Sequence, residues 1–219
     1  MNLVYNQNHF ANLINRPFSE AAFSEQIAEK SKNFTSSRRT VLVEALTNQY
    51  AKVDGNAKAN ALIKELANEK TFTVTTGHQL SLFTGPLFFV IKILQAIKQA
   101  ELLNKKYPTN KFIPVYWMAT EDHDFEEIQS ANLFSDVLKW DSAQEGPVGR
   151  FNLEGLDEVK SRISELYKNH PESEIHAIIR AYDGENLTAA TRNLVHVLFS
   201  DFDLLIIDGD DEQLKREFS

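Results

Sequence analysis

Residues 71–92 read TFTVTTGHQLSLFTGPLFFVIK, and residues 111–120 read KFIPVYWMAT. Thr71 to Thr76 intersperses threonine with Phe72 and Val74, the composition of a strand, and stops at Gly77-His78-Gln79. Thr84-Gly85-Pro86 then supplies a helix cap and a proline suited to a first turn, ahead of an apolar run to about Tyr107. Lys111 to Thr120 is strand-like again, with an almost unbroken apolar centre, as in a strand covered on both faces. Strand, helix and strand make a βαβ unit. Such crossovers are right-handed in nearly all proteins and imply a parallel sheet with helices on its faces.

Upstream, Ala, Glu, Lys, Gln and Leu dominate Glu20 to Lys30, Arg38 to Ala51 and Asn56 to Glu69, which predicts helices, the second capped by Ser36 or Ser37. Downstream, a short helical stretch is expected over Phe125 to Asn132. A small β excursion is expected from Val137 to Leu153, punctuated by Gly146-Pro147 and Gly149. Helices are then expected over Asp157 to Asn169 and Asn186 to Phe199. Asp203 to Asp208 (DLLIID) reads as a third core strand, and Gly209-Asp210-Asp211 turns into a last helix. Three strands are few for a doubly wound domain, so the chain is expected to be the N-terminal part of a longer protein.

The chain has 219 residues, 42% hydrophobic and 25% charged, which excludes a disordered or collagenous protein and leaves room for a sizeable core. A net charge of −8 argues against a nucleic-acid partner. There is no cysteine, so disulfides, thiolate metal sites and a cysteine nucleophile are excluded, and any thiol chemistry must come from the substrate. The opening MNLVYNQNHF does not read as a secretory signal, and no run reaches the roughly 18 apolar residues of a membrane helix. A cytoplasmic protein with no membrane partner is the expectation.

In open parallel sheets ligands bind beyond the carboxyl ends of the strands. Three polar clusters fall there: Gly77-His78-Gln79, Glu121-Asp122-His123-Asp124, and Asp208 to Asp211. Gly77 would let the backbone turn tightly, and the helix start near Thr84 to Pro86 would offer free N–H groups to a phosphate or carboxylate. His78 would donate to a phosphoryl oxygen, or else His78 and Gln79 merely satisfy backbone groups in a turn. In the second cluster a carboxylate can hold a substrate ammonium and His123 can shuttle a proton, while Asp122 or Asp124 can equally cap the next helix. His78, Asp122, His123, Asp124 and Asp208 are also oxygen and nitrogen donors of the kind found in metallophosphoesterases. Neighbouring residues of an extended strand point to opposite faces, however, so no metal site is assigned. Lys92, with Gln95 and Gln99, is expected on a solvated stripe. Arg150 is either an anion contact or a surface residue, and Phe83, Phe88 and Phe89 are expected in the core.

The stretches Thr73 to Lys92 and PVYWMATEDHDFEEI from Pro114 to Ile128, followed in order by PVGRF at Pro147 to Phe151 and LLIIDGDD at Leu204 to Asp211, resemble the cysteine-adding enzymes of bacillithiol biosynthesis, the cysteine ligases. The resemblance spans essentially the whole chain. It implies an α/β, Rossmann-like nucleotidyltransferase core with a parallel sheet, related to class I aminoacyl-tRNA synthetases. The organisation it implies is a helical N-terminal arm over 1–70, the first part of the core over 71–139, an inserted connecting segment over 140–186, and a truncated return to the core over 187–219. Members continue through the rest of the core and a coiled coil used for homodimerisation. The implied reaction joins L-cysteine, through its carboxyl group, to the amine of glucosaminyl-malate, with an activated cysteine as intermediate and ATP with magnesium as candidate cosubstrate.

By position, Gly77, His78 and Gln79 match the histidine signature of nucleotidyltransferases, with one histidine in place of the usual pair, and Thr84 and Gly85 lie at the following helix start. Glu121, Asp122, His123 and Asp124 match the acidic strand-end motif. Asp122 or Asp124 is expected to hold a substrate amino group, His123 to move or position a proton, and Asp208 to assist from the third strand. A metal-dependent phosphoesterase and a non-catalytic nucleotide-binding module are the alternatives.

Overall fold

The computed structural model describes residues 15–16, 19–51, 53, 55–133 and 136–217. The opening decapeptide, His9 within it, and the two last residues lie outside this set. Helix α1 (Glu20–Asn33) is capped by Ser19, whose hydroxyl accepts the Ala22 N–H. Helix α2 (Ser36–Tyr50) is capped by Thr35, which accepts from Arg38 N–H at 3.4 Å, and not by Ser36 or Ser37. The Ser37 hydroxyl instead bonds that of Thr35, because the chain is already helical at Ser36, two residues before the expected start at Arg38. Helix α3 (Ala57–Glu65) completes the described part of the arm.

Strand β1 (Thr71–His78), helix α4 (Phe88–Lys106) and strand β2 (Lys111–Met118) form the expected crossover. β1 and β2 run parallel from Thr71 opposite Lys111 to His78 opposite Met118. Strand β5 (Leu205–Asp208) lies parallel on the other side of β2, from Leu205 opposite Val115 to Asp208 opposite Met118, so the sheet order is β1-β2-β5. The two-residue period of β2 explains its central place. Ile113 and Val115 pack with Leu46, Ile63 and Leu205 under α2 and α3, while Tyr116 and Met118 pack with Phe89 and Ile93 of α4.

Between β2 and β5 the chain departs from the sequence reading. Helix α5 (Phe125–Ile128) is only one turn long, and strands β3 (Ser130–Leu133) and β4 (Asp136–Lys139) follow at once as an antiparallel hairpin. Helix to Asn132 is corrected, and strand character from Val137 holds only to Lys139 rather than to Leu153. Ala131 and Leu138 face each other in the hairpin and are both buried, so burial on alternate residues overrides the helical composition of this stretch. Beyond Lys139 the extended chain is pinned by the buried Trp140, whose indole donates to Glu154 O at 2.8 Å, and makes only a single turn at Val148–Arg150.

Helices α6 (Leu156–Leu166), α7 (Ile175–Ala181) and α8 (Leu187–Phe199) follow, with α9 (Glu212–Arg216) after β5. Helix α7 is absent from the sequence reading. Trp140, Val148, Phe151, Leu156, Tyr182 and Leu187 share one apolar core with Leu80, Phe89 and Met118, so residues 140–186 are packed onto the sheet layer. Among the described residues no helix is long and apolar enough to cross a membrane.

Candidate active site at the strand ends

Because the registers make His78, Met118 and Asp208 neighbours in one row, the three strands end level and their loops rise side by side. His78 and Asp208 are separated by two strand spacings, roughly 9–10 Å. The His78 ring is half-buried, edge-on to Phe89 at 5.4 Å, and its Nδ1 lies 3.1 Å from Gln79 O. A carbonyl oxygen only accepts, so Nδ1 carries a proton and the neutral ring presents Nε2 as an acceptor. The expected donation to an anionic oxygen therefore requires the imidazolium. Gln79 reaches across to Glu127 Oε2 at 2.8 Å, tying the end of β1 to α5.

The expected tight turn at Gly77 is corrected. Gly77 sits within β1 opposite Trp117, and a Cβ there would meet Trp117 at an ordinary 3.7 Å. The reversal comes later, where Phe83 (φ 49°), Thr84 (φ 77°) and Gly85 (φ 57°) all have positive φ. Gly85 is required there, because a Cβ would stand 2.5 Å from Ser81 Cβ. The strained Phe83 is held by Tyr182, whose hydroxyl accepts its N–H and whose ring packs 4.5 Å from its own. Thr84 caps nothing: α4 begins after Leu87, without a side-chain cap, because the left-handed turn intervenes. Lys92, on the second turn of α4, donates to Gly77 O and lies over the Phe88 ring at 5.3 Å, so on the expected solvated stripe, where Gln95 is exposed, Lys92 is anchored to the end of β1. Phe89 is core and Phe83 packs against it, but Phe88 is 59% exposed.

After β2, the carboxylates are partly committed to holding the chain. Asp122 Oδ1 accepts the N–H groups of His123 (2.7 Å) and Asp124 (3.1 Å), and Asp124 Oδ1 caps α5 through Glu127 N–H at 3.1 Å. Asp122 is half-buried, whereas His123 and Asp124 are exposed. Glu121 accepts from the Trp117 indole through Oε1 at 3.3 Å, while its Oε2 is buried without a partner and lies against Gly209. A side chain at Gly209 would have to occupy the same space, since its Cβ would fall 2.1 Å from that oxygen.

The second and third clusters are joined through Thr120, which is fully buried. Its hydroxyl donates to Asp208 Oδ1 and accepts Asp210 N–H at 2.8 Å, and its carbonyl accepts Gly149 N–H at 3.0 Å. Gly149 has to be glycine for this contact, because a Cβ would lie 2.6 Å from Thr120 Cβ. Arg150 Nε donates to Asp210 Oδ2 at 2.5 Å, and Lys215 pairs with the other oxygen. Burial by itself would raise the Asp210 pKa, but these two cations hold it below the usual carboxylate range. From the arm, Gln49 accepts Asp208 N–H at 2.9 Å and donates to Asp211, and it also accepts from the buried Arg192, which lies over Tyr50. Desolvation lowers the Arg192 pKa, and its bonds to Gln49 and to Ile206 O hold the guanidinium in place.

The structure thus joins Glu121 and Asp208 about Thr120 and Gly209, leaves Asp122 holding its own turn after β2, and sets His78 and Gln79 on the far side of β2. Thr120, Gln49 and Arg192 are site-building residues that the sequence reading missed, and Asp210 was placed only as a member of the third polar cluster. The one available signal was Thr120 as the last residue before an acidic strand end. Arg150, left undecided there, faces Asp210. Among the described residues no three His, Asp or Glu side chains are grouped to hold a metal ion.

A family model described as "Bacillithiol biosynthesis BshC, N-terminal Rossmann-like domain" matches residues 2–219. The chain is 44% identical over 214 residues to a protein of Flavobacterium johnsoniae named "Putative cysteine ligase BshC", covering 96% of this chain and 39% of that protein. A protein of the same name from Flavobacterium psychrophilum is 40% identical over 214 residues, covering 90% and 38% respectively. One from Cytophaga hutchinsonii is 42% identical over 184 residues, covering 83% and 33%. The chain therefore spans less than two fifths of the length of these relatives.

Proposed function

This chain belongs to the BshC family, as its N-terminal Rossmann-like domain, and from that premise we propose that it forms the catalytic crevice of a ligase joining L-cysteine to glucosaminyl-malate. The supporting observation is that the level strand ends divide into two chemical halves. At the β1 end stand the His78 ring, the Lys92 ammonium and the N-terminus of α4, groups suited to an anionic ligand. At the β2 and β5 ends stand Glu121, Asp122 and Asp208, suited to an ammonium.

A free carboxylate is a poor acyl donor, so the carboxyl of cysteine needs an activating group, for which ATP with magnesium is the candidate cosubstrate. The residues at the β1 end fit the anionic part of such a donor. In the bond-forming step the sugar nitrogen attacks the activated carboxyl carbon, the bond to the leaving group breaks, and the nitrogen gives up a proton. Asp122 holds the amine through Oδ2, the oxygen its own turn does not use. His123, exposed one residue further on, takes the proton. His78 as imidazolium steadies the charge on the leaving group. Thr120, Gln49 and Arg150 keep the third strand end in register with the second. The phosphoesterase alternative gains nothing from these side chains, since they are not grouped as metal ligands.

The test uses the complete polypeptide with L-cysteine and glucosaminyl-malate, with and without ATP and magnesium, and identifies the thiol product by mass spectrometry. Product in the complete mixture is the expected result. No product under either condition, from protein shown to be folded, overturns the reading. Nucleotide binding without turnover would place the chain in the binding-module class instead.

A further inference from the structure

The stretch PVGRF, residues 147–151, is strapped across the ends of β2 and β5. Val148 N–H donates to Asp122 O at 2.7 Å and Gly149 N–H to Thr120 O at 3.0 Å. On the other side Gly149 O accepts the Thr188 hydroxyl at 2.8 Å, and Phe151 O accepts Leu187 N–H at 2.9 Å. Val148, Gly149 and Phe151 are buried, so the strap is a rigid mount. The one residue of 148–151 turned to solvent is an arginine, with 67% of its side chain exposed.

The Arg150 guanidinium is held at one point. Its Nε donates to Asp210 Oδ2 at 2.5 Å, and among the described residues neither of its Nη atoms has a partner. Asp210 is a fixed anchor: its side chain is 10% exposed, its N–H is bound by Thr120 and Asp208, and Lys215 takes its other oxygen. A carboxylate shared by two cations neutralises only one of them. The acids on either side are engaged elsewhere, Asp208 Oδ1 by Thr120 and Asp211 by Gln49 and the Leu214 N–H. An arginine fixed through Nε still offers the planar pair of Nη donors, which matches the two oxygens of a carboxylate.

We propose that Arg150 is a specificity-determining residue, whose Nη pair takes a carboxylate of the malyl group of the acceptor. The inference rests on the ligase reading above and deepens it, by naming the part of the substrate that the third strand end receives. In glucosaminyl-malate the amine and the malyl group sit on adjacent carbons of the sugar, so the protein groups that receive them have to be close neighbours. The strap supplies that closeness: Val148, two residues before Arg150, is bonded to the backbone of Asp122, the residue placed at the amine. An acceptor with one ammonium and two carboxylates calls for a cation beside the acidic half of the crevice. Arg150 is the cation there that keeps a planar pair of donors to spare.

The test compares two ligands on the complete polypeptide by isothermal titration calorimetry: glucosaminyl-malate, and methyl glucosaminide, which keeps the amine and lacks both carboxylates. Wild type, Arg150→Gln and Arg150→Lys are titrated, with thermal melting to show that each is folded. Wild type is expected to hold glucosaminyl-malate at least tenfold more tightly than methyl glucosaminide. Arg150→Gln is expected to lose most of that ratio, and Arg150→Lys, which keeps the charge without the fork, to fall between. A wild type without the preference overturns the proposal. So does an Arg150→Gln variant that weakens both ligands by the same factor, because Arg150 is then only a latch on Asp210. Binding is read without turnover, so the two readings fail separately. Product from wild type with an unchanged ratio in Arg150→Gln removes this inference alone, and a ratio lost in a protein that makes no product removes the ligase reading alone.

Discussion

The hydroxyl of Tyr182 accepts the backbone N–H of Phe83 at 2.7 Å, joining two residues 99 positions apart. Tyr182 is buried, and burial pushes its phenol pKa well above the usual value, so the group stays protonated. The segment that follows β4 thereby dictates the shape of the loop that follows β1.

Tyr182→Phe keeps the ring contact and leaves the Phe83 N–H without its acceptor, at a cost of about 1–3 kcal/mol. The complete polypeptide carrying it is expected to unfold at lower urea concentration than the wild type. It should also turn over more slowly at temperatures where it remains folded, because the His78 loop loses its support. An unchanged urea midpoint would show that the turn is held by other contacts.

Two glycines with positive φ separate strain from collision. Gly146 (φ 100°) has open space where a Cβ would go, whereas Gly85 (φ 57°) has Ser81 Cβ at 2.5 Å. Gly146→Ala is expected to cost only the backbone term, roughly 1–2 kcal/mol. Gly85→Ala adds a clash within a packed loop and is expected to lose more, by about 1–3 kcal/mol. Thermal denaturation of the two variants side by side checks the order.

The Arg150–Asp210–Lys215 cluster makes a pH prediction with a definite sign. The Asp210 pKa is depressed in the folded protein, so its contribution is present above the unfolded value of about 3.9 and is lost as pH falls through the lower folded value. Wild type is therefore expected to exceed Asp210→Asn in stability at pH 7, with the difference shrinking below about pH 4. Urea midpoints of both proteins across that range decide it. A difference that stays constant would mean that the carboxylate charge contributes nothing.

How much of this was legible in the sequence depends on how local each determinant is. β1, β2 and β5 announce themselves, because a strand covered on both faces needs a short apolar or β-branched run and nothing from elsewhere. The strand-end clusters follow from those strands. The Phe83–Gly85 turn could not be read, since a positive φ at phenylalanine is unfavourable and is imposed by Tyr182 from far along the chain. The anchoring of Lys92 could not be read, because its helical spacing to Gln95 says nothing about a carbonyl at Gly77. Arg192 carries no signal of its own within the helix expected over Asn186 to Phe199, yet α8 buries it between Tyr50 and Ile206. The α5 boundary was missed where alternate burial at Ala131 and Leu138 outweighed helical composition.

The carboxylates after β2 can be sorted by changing charge while keeping each local hydrogen bond. Asparagine retains an acceptor oxygen, so Asp122→Asn preserves the turn that receives His123 and Asp124 N–H, and Asp124→Asn preserves the cap on α5. Neither should change the melting temperature appreciably. If Asp122 holds the amine of the acceptor, Asp122→Asn lowers the ligase rate of the complete polypeptide and raises KM for glucosaminyl-malate, while Asp124→Asn stays within a few-fold of wild type. His78→Ala removes a group that acts on the other substrate, and its loss is expected in kcat at a cost of roughly 10²–10⁴, with KM for the amino sugar unchanged. Steady-state kinetics of the three variants checks all of this at once. Equal losses from Asp122→Asn and Asp124→Asn would move the amine from one carboxylate to the pair, and full activity in His78→Ala would remove the β1 loop from the chemistry.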